Sequence, residues 1–426
     1  MSKLLSVVTV LLGVLMLTGA TVAQDTANTV TVSPINDHLY MITCLGGEEL
    51  NLPPYTANII ASVGPDGLLL IDDGFRSTAE ELRDTLMRLS PTGKRIIINT
   101  HYHGDHVSGN QALRDNAVIL AHRNVLNRLS GYYFNLPGPP DPNRPHVGFD
   151  DSLVLHFNNE TVRVIHAPSC HTDGDVYVYF VESNVVFVGD LVFADATPYV
   201  DLGAGGSVKG SIVQVNNFID EYSDDITFIP AHGRPCTRDD LREYVGMLTG
   251  TTEAVRAAIA KGQTVDQMVE SEVLAAYKSW EGNFPTTSLA MWTRTVNTEL
   301  RDLVNARPSV CDPLTATLVD GTGRDAVDHY HKLKAAAADA YNFSERQINM
   351  LGYQLLFRNR VDDAVAVLKL NMEEYPESFN VYDSYGEALM ISGDTANAIV
   401  NYERSLELNA DNTNASDMLK KLRHEL

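Results

Sequence analysis

The chain is poor in the features that would point away from an ordinary globular protein. Its 426 residues include four cysteines, none in a Cys-x-x-Cys pair, so the usual spacing of a structural zinc site is missing. No dense Lys/Arg run occurs, and the formal net charge of -23 disfavours DNA, RNA or an anionic membrane surface as partner. No low-complexity tract interrupts a composition of 44% hydrophobic and 20% charged residues, as expected of a globular protein with two or three domains. Past the first twenty or so residues, no stretch is apolar enough to span a bilayer.

The apolar run that does exist is N-terminal. Lys3 precedes "LLSVVTVLLGVLMLTGA", and Ala23 in "TVAQ" offers a small residue for cleavage. This reads as an export signal over residues 1–23. An uncleaved anchor is the other reading, but the single positive flank and the cleavage site favour removal. The expected product is exported, periplasmic or secreted. In such a compartment Cys44, Cys170, Cys236 and Cys311 allow three pairings, among which the sequence does not choose. Cys170 and Cys236 lie close to candidate metal ligands and are expected to be neighbours in space.

From about residue 28 to residue 232, short Val/Ile-rich runs alternate with Gly, Pro, Asn and Asp. "HLYMIT", "NIIASV", "GLLLID", "KRIIIN", "AVILAH", "LVLHF", "VRVIHA", "VYVYFV", "NVVFVGD" and "DITFIP" read as strands. "STAEELRDTLMRL", with Ser77 as N-cap, and "HRNVLNRLSGYY" read as helices. Sheets covered by helices, an α/β or α+β core, follow. Residues 24–245 form the first expected domain. Helical periodicity then dominates "DDLREYVGMLTGTTEAVRAAIAKG", "TVDQMVESEVLAAYKSW" and "SLAMWTRTVNTELRDLV", and "RPSVCDPLTATLVDGTGRD" reads as a linker, so 246–330 is expected to be a helical extension with that linker.

The last part, 331–426, repeats. Gly352 and Gly386 are 34 residues apart, as are Ala364 and Ala398. This pattern resembles the tetratricopeptide repeat, although Ala410 stands where the first unit has Pro376. "NASDMLKKL" fits a capping helix. The resemblance implies a peptide or subunit partner on a concave face. Bracing of the enzyme, or of a homo-oligomer, is the equal alternative.

The chemistry is densest in "INTHYHGDHVSGN", which packs His101, His103, Asp105 and His106 behind an apolar strand. In an extended segment His101 and His103 project the same way and share one metal. Gly104 lets the chain turn and present Asp105 and His106 to a second point. Zinc wants about four ligands, so the chain must supply others. Three more strand-like runs end in them: "VRVIHAPSCHTDGD" in His171, "NVVFVGD" in Asp190 and "DITFIPAHG" in His232. His166 sits inside a strand and is read as a packed residue, and His122, His146 and His156 lack partner spacing. Cys170 is read as packing or disulfide rather than nucleophile.

In that order, "THYHGDH", "CHTDGD", "FVGD" and "PAHG" resemble the metallo-β-lactamase superfamily, over about residues 28–240. The resemblance implies a four-layer αββα sandwich with two metals at one edge. It implies that His101, His103 and His171 bind the first zinc, that Asp105, His106 and His232 bind the second, and that Asp190 bridges them. "LLLIDDG" resembles the family's first motif, which makes Asp72 the carboxylate that fixes ligand geometry. Ligand types alone also suit manganese or iron. His at position 103, where the flavodiiron branch typically has Glu, argues against a redox di-iron centre.

The implied reaction is attack of a metal-bound hydroxide on a small carbonyl substrate, an ester, thioester, lactone or amide, with Asp105 as the catalytic residue that orients it. Asp190 stands where class B β-lactamases carry Cys or Ser, so glyoxalase II and the lactonases are the nearer likeness. A class B β-lactamase-like activity is one alternative. A repeat-based binding protein whose hydrolase domain positions a partner is another, although such a protein would be expected to lose ligands. The Pro/Gly-rich loop "SGYYFNLPGPPDPNRPHVGFDD" reads as a lid that brings Tyr132 and Tyr133 to substrate, or as an element whose aromatics anchor it to the core.

Overall fold

The computed structural model describes residues 29–47, 54–91, 94–130, 141–282, 285–304, 308–338, 340–410 and 412–424. The expected signal segment and the expected substrate contacts Tyr132 and Tyr133 lie outside them.

Every Val/Ile-rich run expected to be a strand is one. Seven strands form the first sheet in sequential order: β1 (Val30–Pro34), β2 (Leu39–Gly46), β3 (Tyr55–Gly64), β4 (Gly67–Ile71), β5 (Arg95–Asn99), β6 (Ala117–His122) and β7 (Val147–Phe149). Pairing is antiparallel as far as β4 and parallel from β4 to β7. The second sheet contains β8 (Ser152–Phe157), β9 (Glu160–His166), β10 (Val176–Phe180), β11 (Val185–Phe193) and β12 (Thr227–His232). Its order is β12-β11-β10-β9-β8, with β11 and β12 parallel.

The sheets pack face to face. Leu69, Ile71 and Ile98 of the first meet Val178, Phe187 and Ile229 of the second in one buried cluster. The outer face of the first sheet is covered by α1 (Ala79–Leu89), through Leu82 and Leu86. The short α2 (Gly104–Val107), α3 (Asn110–Leu113) and α4 (Arg123–Leu129) lie in the connections around β6. Over the outer face of the second sheet pack α5 (Val208–Glu221), α6 (Arg238–Ala260), α7 (Val265–Glu270) and α8 (Leu289–Val304), which bury Phe218, Leu248, Met268 and Trp292 with Val186 and Phe228. This is the four-layer αββα sandwich. Its second helical layer is supplied largely by what reads in the sequence as an extension.

The remainder is helical: α9 (Cys311–Asp320), α10 (Gly323–Ala337), α11 (Glu345–Phe357), α12 (Val361–Glu374), α13 (Phe379–Ser392), α14 (Thr395–Leu408) and α15 (Thr413–His424). Gly352 and Gly386 occupy equivalent places in the pairs α11/α12 and α13/α14, each where a side chain would press on the neighbouring helix, at Leu368 and at Tyr402. Ala364 and Ala398 are fully buried.

Three local expectations fail. The segment read as a linker forms α9, because Cys311, Leu314 and Leu318 make an apolar face buried against α10 to α12; Pro313 sits in its first turn, where a missing N–H costs little. The helix expected through "TVDQMVESEVLAAYKSW" stops at Glu270, and Glu272 turns to a left-handed φ of 47°. Helix α1 takes Thr78 rather than Ser77 as its N-cap.

Candidate metal centre

Six of the seven expected ligands stand at the end of a strand or in the connection after it; Asp190, expected to end a strand, lies within one, because β11 runs on through Leu191–Phe193. His101 follows β5, and α2 begins one turn later, with His103 as its extended N-cap. The loop closes tightly: a Cβ on Gly109 would run into the Asp73 carbonyl oxygen, and the Gly109 N–H donates to Asp73 Oδ1 at 2.9 Å. His171 lies between β9 and β10 in a loop clipped by the Asp175 carboxylate, which accepts from the Thr172 N–H at 2.8 Å and from its hydroxyl. Asp190 lies inside β11, just after Gly189 (φ 53°), where the register against β12 shifts. Such a bulge re-aims a side chain. His232 ends β12, and the following Gly233 carbonyl accepts from Asn58 Nδ2 on β3 at 2.8 Å, tying the two sheets together at this edge.

The seven residues converge as two groups: His101, His103, His171 and Asp190, and Asp105, His106 and His232. In the first group His101 Nε2 and His103 Nδ1 are 3.1 Å apart, His171 Nε2 is 3.2 and 2.9 Å from them, and Asp190 Oδ2 lies 3.9 Å from His101 and 3.4 Å from His171. In the second, Asp105 Oδ2 is 3.5 Å from His106 Nε2 and 3.2 Å from His232 Nε2. Asp190 also reaches this group, with Oδ1 3.2 Å from His106 and Oδ2 3.4 Å from His232.

The outer nitrogens of these rings decide what the inner ones present. His106 Nδ1 is 2.8 Å from Asp72 Oδ2, His171 Nδ1 is 2.7 Å from the Tyr199 carbonyl, His232 Nδ1 is 2.8 Å from the Thr56 carbonyl, and His103 Nε2 is 3.2 Å from Asp201 Oδ2. Carbonyls and carboxylates only accept, so each of these rings donates outward and leaves a lone pair facing in. Asp72 is itself held by the Thr100 N–H at 2.6 Å and the Thr100 hydroxyl at 2.7 Å.

Inward lone pairs about 3 Å apart repel one another unless a cation lies between them. A tetrahedral ion with arms of about 2.0–2.1 Å has ligand–ligand edges of about 3.3 Å, close to the spacing of the first group. His106 Nε2 and Asp190 Oδ1 are buried without a hydrogen-bond partner although only 3.2 Å apart, another sign that their lone pairs serve something else. The residues therefore fit two metal ions.

The field of the cluster agrees. Burial alone would raise the Asp190 carboxyl, but His232, His106, His171 and His101 hold it well below the usual carboxylate range. Asp105 is likewise held down, against burial, by His106 and His232. Burial disfavours charge on His232, yet Asp190 and Asp105 push it up to about 10, so the second group attracts positive charge, and a proton and a metal ion compete for the inward Nε2. Burial, seconded by histidine neighbours, lowers His101 well below its ordinary value. Burial takes His171 to about 4. Both are neutral donors.

A cavity of about 630 Å³ opens over the centre. Asp105, Asp190 and His232 form part of its floor, Tyr55, Phe193 and Tyr199 part of its walls, and Thr286 and Thr287, between α7 and α8, part of its rim. His166 stays outside, stacked on His122 with ring centroids 3.7 Å apart and with its Nε2 3.0 Å from the Asp173 carbonyl. All four cysteines are buried free thiols. Cys170 and Cys236 share one core cluster without bonding, and burial pushes the Cys236 thiol up to about 12, so neither offers a thiolate.

Several contributors carry no signal in the sequence. Asp201 and the Tyr199 carbonyl lack motif spacing, and only the folded chain brings them behind these side chains; Thr100 opens "THYHGDH", but nothing in the sequence marks its bond to Asp72. A weak pointer exists for Asp201, which opens the glycine-rich turn "DLGAGG" before α5.

Residues 52–232 match the family model described as the metallo-beta-lactamase superfamily. A hydroxyacylglutathione hydrolase of Pelagibacter ubique is 28% identical over 127 residues, 29% of this chain and 44% of that protein. A linear primary-alkylsulfatase of a Pseudomonas species is 23% identical over 256 residues, 48% of each chain. The chain thus spans less than half the length of either relative. Among solved structures, a metallo-beta-lactamase from Pontibacter korlensis aligns with a TM-score of 0.44 at 19% identity, over 52% of this chain and 99% of that one.

Proposed function

We propose that the chain is an exported, dinuclear zinc-dependent hydrolase of small carbonyl substrates: esters, thioesters, lactones or amides. The observation that carries this reading is the set of outward-donating histidines, which leaves their lone pairs, the Asp105 carboxylate and the shared Asp190 carboxylate facing one another beneath an open cavity.

His101, His103 and His171 would hold one ion, Asp105, His106 and His232 the other, and Asp190 both. Bound there, two cations supply Lewis acidity and a water of lowered pKa. The chain's own residues do the rest. Asp105, at the cavity floor beside His232, would orient the attacking water and pass the proton it releases on to the leaving group rather than keep it, since its carboxyl is a weak base. Asp190, with oxygens toward both groups, keeps the two halves in register. Tyr55, Phe193 and Tyr199 give the acyl part of a substrate an aromatic wall, which orients the carbonyl over the floor and keeps bulk water from it.

The paired C-terminal helices are read as tetratricopeptide-like repeats that take a peptide or brace the enzyme or a second copy.

The test is a screen of the zinc-loaded chain on esters, thioesters, lactones and β-lactams, with Asp105→Ala as control. Metal-dependent turnover on at least one carbonyl class, lost by roughly two to four orders of magnitude in the variant, is expected for loss of a general base. A wild-type chain that binds two ions and turns over none of these substrates refutes the hydrolase reading.

A further inference from the structure

The segment from Tyr199 to Ser207, between β11 and α5, stands behind the first ligand group. The Tyr199 carbonyl orients His171, and the Asp201 carboxylate faces His103 Nε2. The same Asp201 oxygen accepts from the Tyr102 hydroxyl at 2.6 Å. The other oxygen accepts from the Ala204 N–H at 3.0 Å. The Asp201 N–H donates to the His171 carbonyl at 2.9 Å. One short segment thus fixes two of the three histidines of this group.

That segment rests on the C-terminal helices. Arg346 Nη2 on α11 lies 4.0 Å from Asp201 Oδ1. A Cβ on Gly203 would come within 2.8 Å of Met350 Sδ and 3.2 Å of Arg346 Nη2. Both are the far ends of flexible side chains, so these distances show how closely the turn lies against α11 rather than a need for glycine there.

We propose that Asp201 is a positioning residue for His103, and that Arg346 on α11 seats its carboxylate, so that the C-terminal helices tune metal affinity at the first ligand group. This rests on the dinuclear reading above. The carboxylate fixes the orientation of the ring that presents Nδ1 inward. The guanidinium opposes rotation of that carboxylate away from the ring. A ligand or partner that shifts α11 would act on the same contact.

The test uses full-length protein and reads zinc binding by competition with a chromophoric chelator, with the visible spectrum of the cobalt-substituted protein as second readout. In Asp201→Asn, which preserves the side chain's shape, one of the two ions should bind about 10–100-fold more weakly, while the other binds as before. Arg346→Ala removes a half-exposed side chain and should weaken the same ion by a smaller factor, with Arg346→Lys restoring part of the loss. A wild-type chain that takes up no zinc would sink the dinuclear reading and this proposal together. Two-ion wild type with an unchanged Asp201→Asn variant sinks only the positioning role, as does equal weakening of both ions. An unchanged Arg346→Ala variant sinks the link to the C-terminal helices.

Discussion

At the scale of the residue, seven His and Asp side chains from distant parts of the chain face one another, and the groups behind them set how each is presented. His101, His103, Asp105 and His106 share one short motif, and His171, Asp190 and His232 each end an apolar run, so strand propensity and side-chain chemistry point to the same places. Asp201 becomes a neighbour of those side chains only through the fold, and pattern carries no information about that. Asp72 is the exception, because it follows a strand in a recognisable motif. Its backbone adopts a left-handed φ of 63°, uncommon for a residue other than glycine, and its carboxylate joins Thr100 to His106. Asp72→Asn keeps the shape but places an amide where one oxygen now accepts. We expect metal affinity at the second ligand group to fall about 10–100-fold, read by chelator competition, with the first group much less affected. Gly109 tests the framework rather than the metal. Its Cβ would meet the backbone oxygen of Asp73, which cannot swing aside as a side chain would. Gly109→Ala should therefore cost about 1–3 kcal/mol in urea unfolding; an unchanged midpoint would show that the loop has more room than it appears to have.

Elements are read from sequence by their periodicity, and the failures have periodic causes. β1 carries no apolar signal, because four of its five residues are exposed. β7 has three residues, too few to alternate. α9 reads as a linker because proline, glycine and aspartate crowd its ends, although its interior keeps helical spacing. The start of α4 carries a testable device. His122 occupies its N-cap, and its Nδ1 accepts from the Asn124 N–H at 3.3 Å, which only the neutral ring can do. Burial, then the neighbouring His166, lowers its pKa from 6.5 to about 4. The neutral form is thus favoured on folding. The contribution is fully present above pH 6.5 and is lost as pH falls through about 4. Asn at this position keeps a capping oxygen without titrating. Melting temperatures measured across that window should fall more steeply in wild type than in His122→Asn, and parallel curves would remove the cap from the account.

For the whole molecule, the buried clusters divide the chain differently from its composition. Residues of α5 to α8 share one cluster with the second sheet, whereas α9 to α12 share another. The break in packing therefore falls after α8, and helical character, which begins to dominate earlier, does not mark it. Both tryptophans, Trp280 and Trp292, belong to the sandwich side, Trp292 fully buried and Trp280 packed against the same cluster. Tryptophan fluorescence thus reports the sandwich, while far-UV circular dichroism also reports the seven helices that follow it. Metal bound only to the folded sandwich stabilises it by mass action, by about 4 kcal/mol when free ion is a thousandfold above its Kd. Chelation should move the fluorescence transition to lower denaturant by a corresponding amount. The part of the circular-dichroism signal that belongs to α9 to α15 should move much less, because the contacts of Asp201 with Arg346 and of Gly203 with Met350 couple the two sides through one turn rather than through a shared core. If the two signals instead coincide with and without chelator, the chain unfolds as one cooperative unit, and the contact at α11 transmits far more than its size suggests.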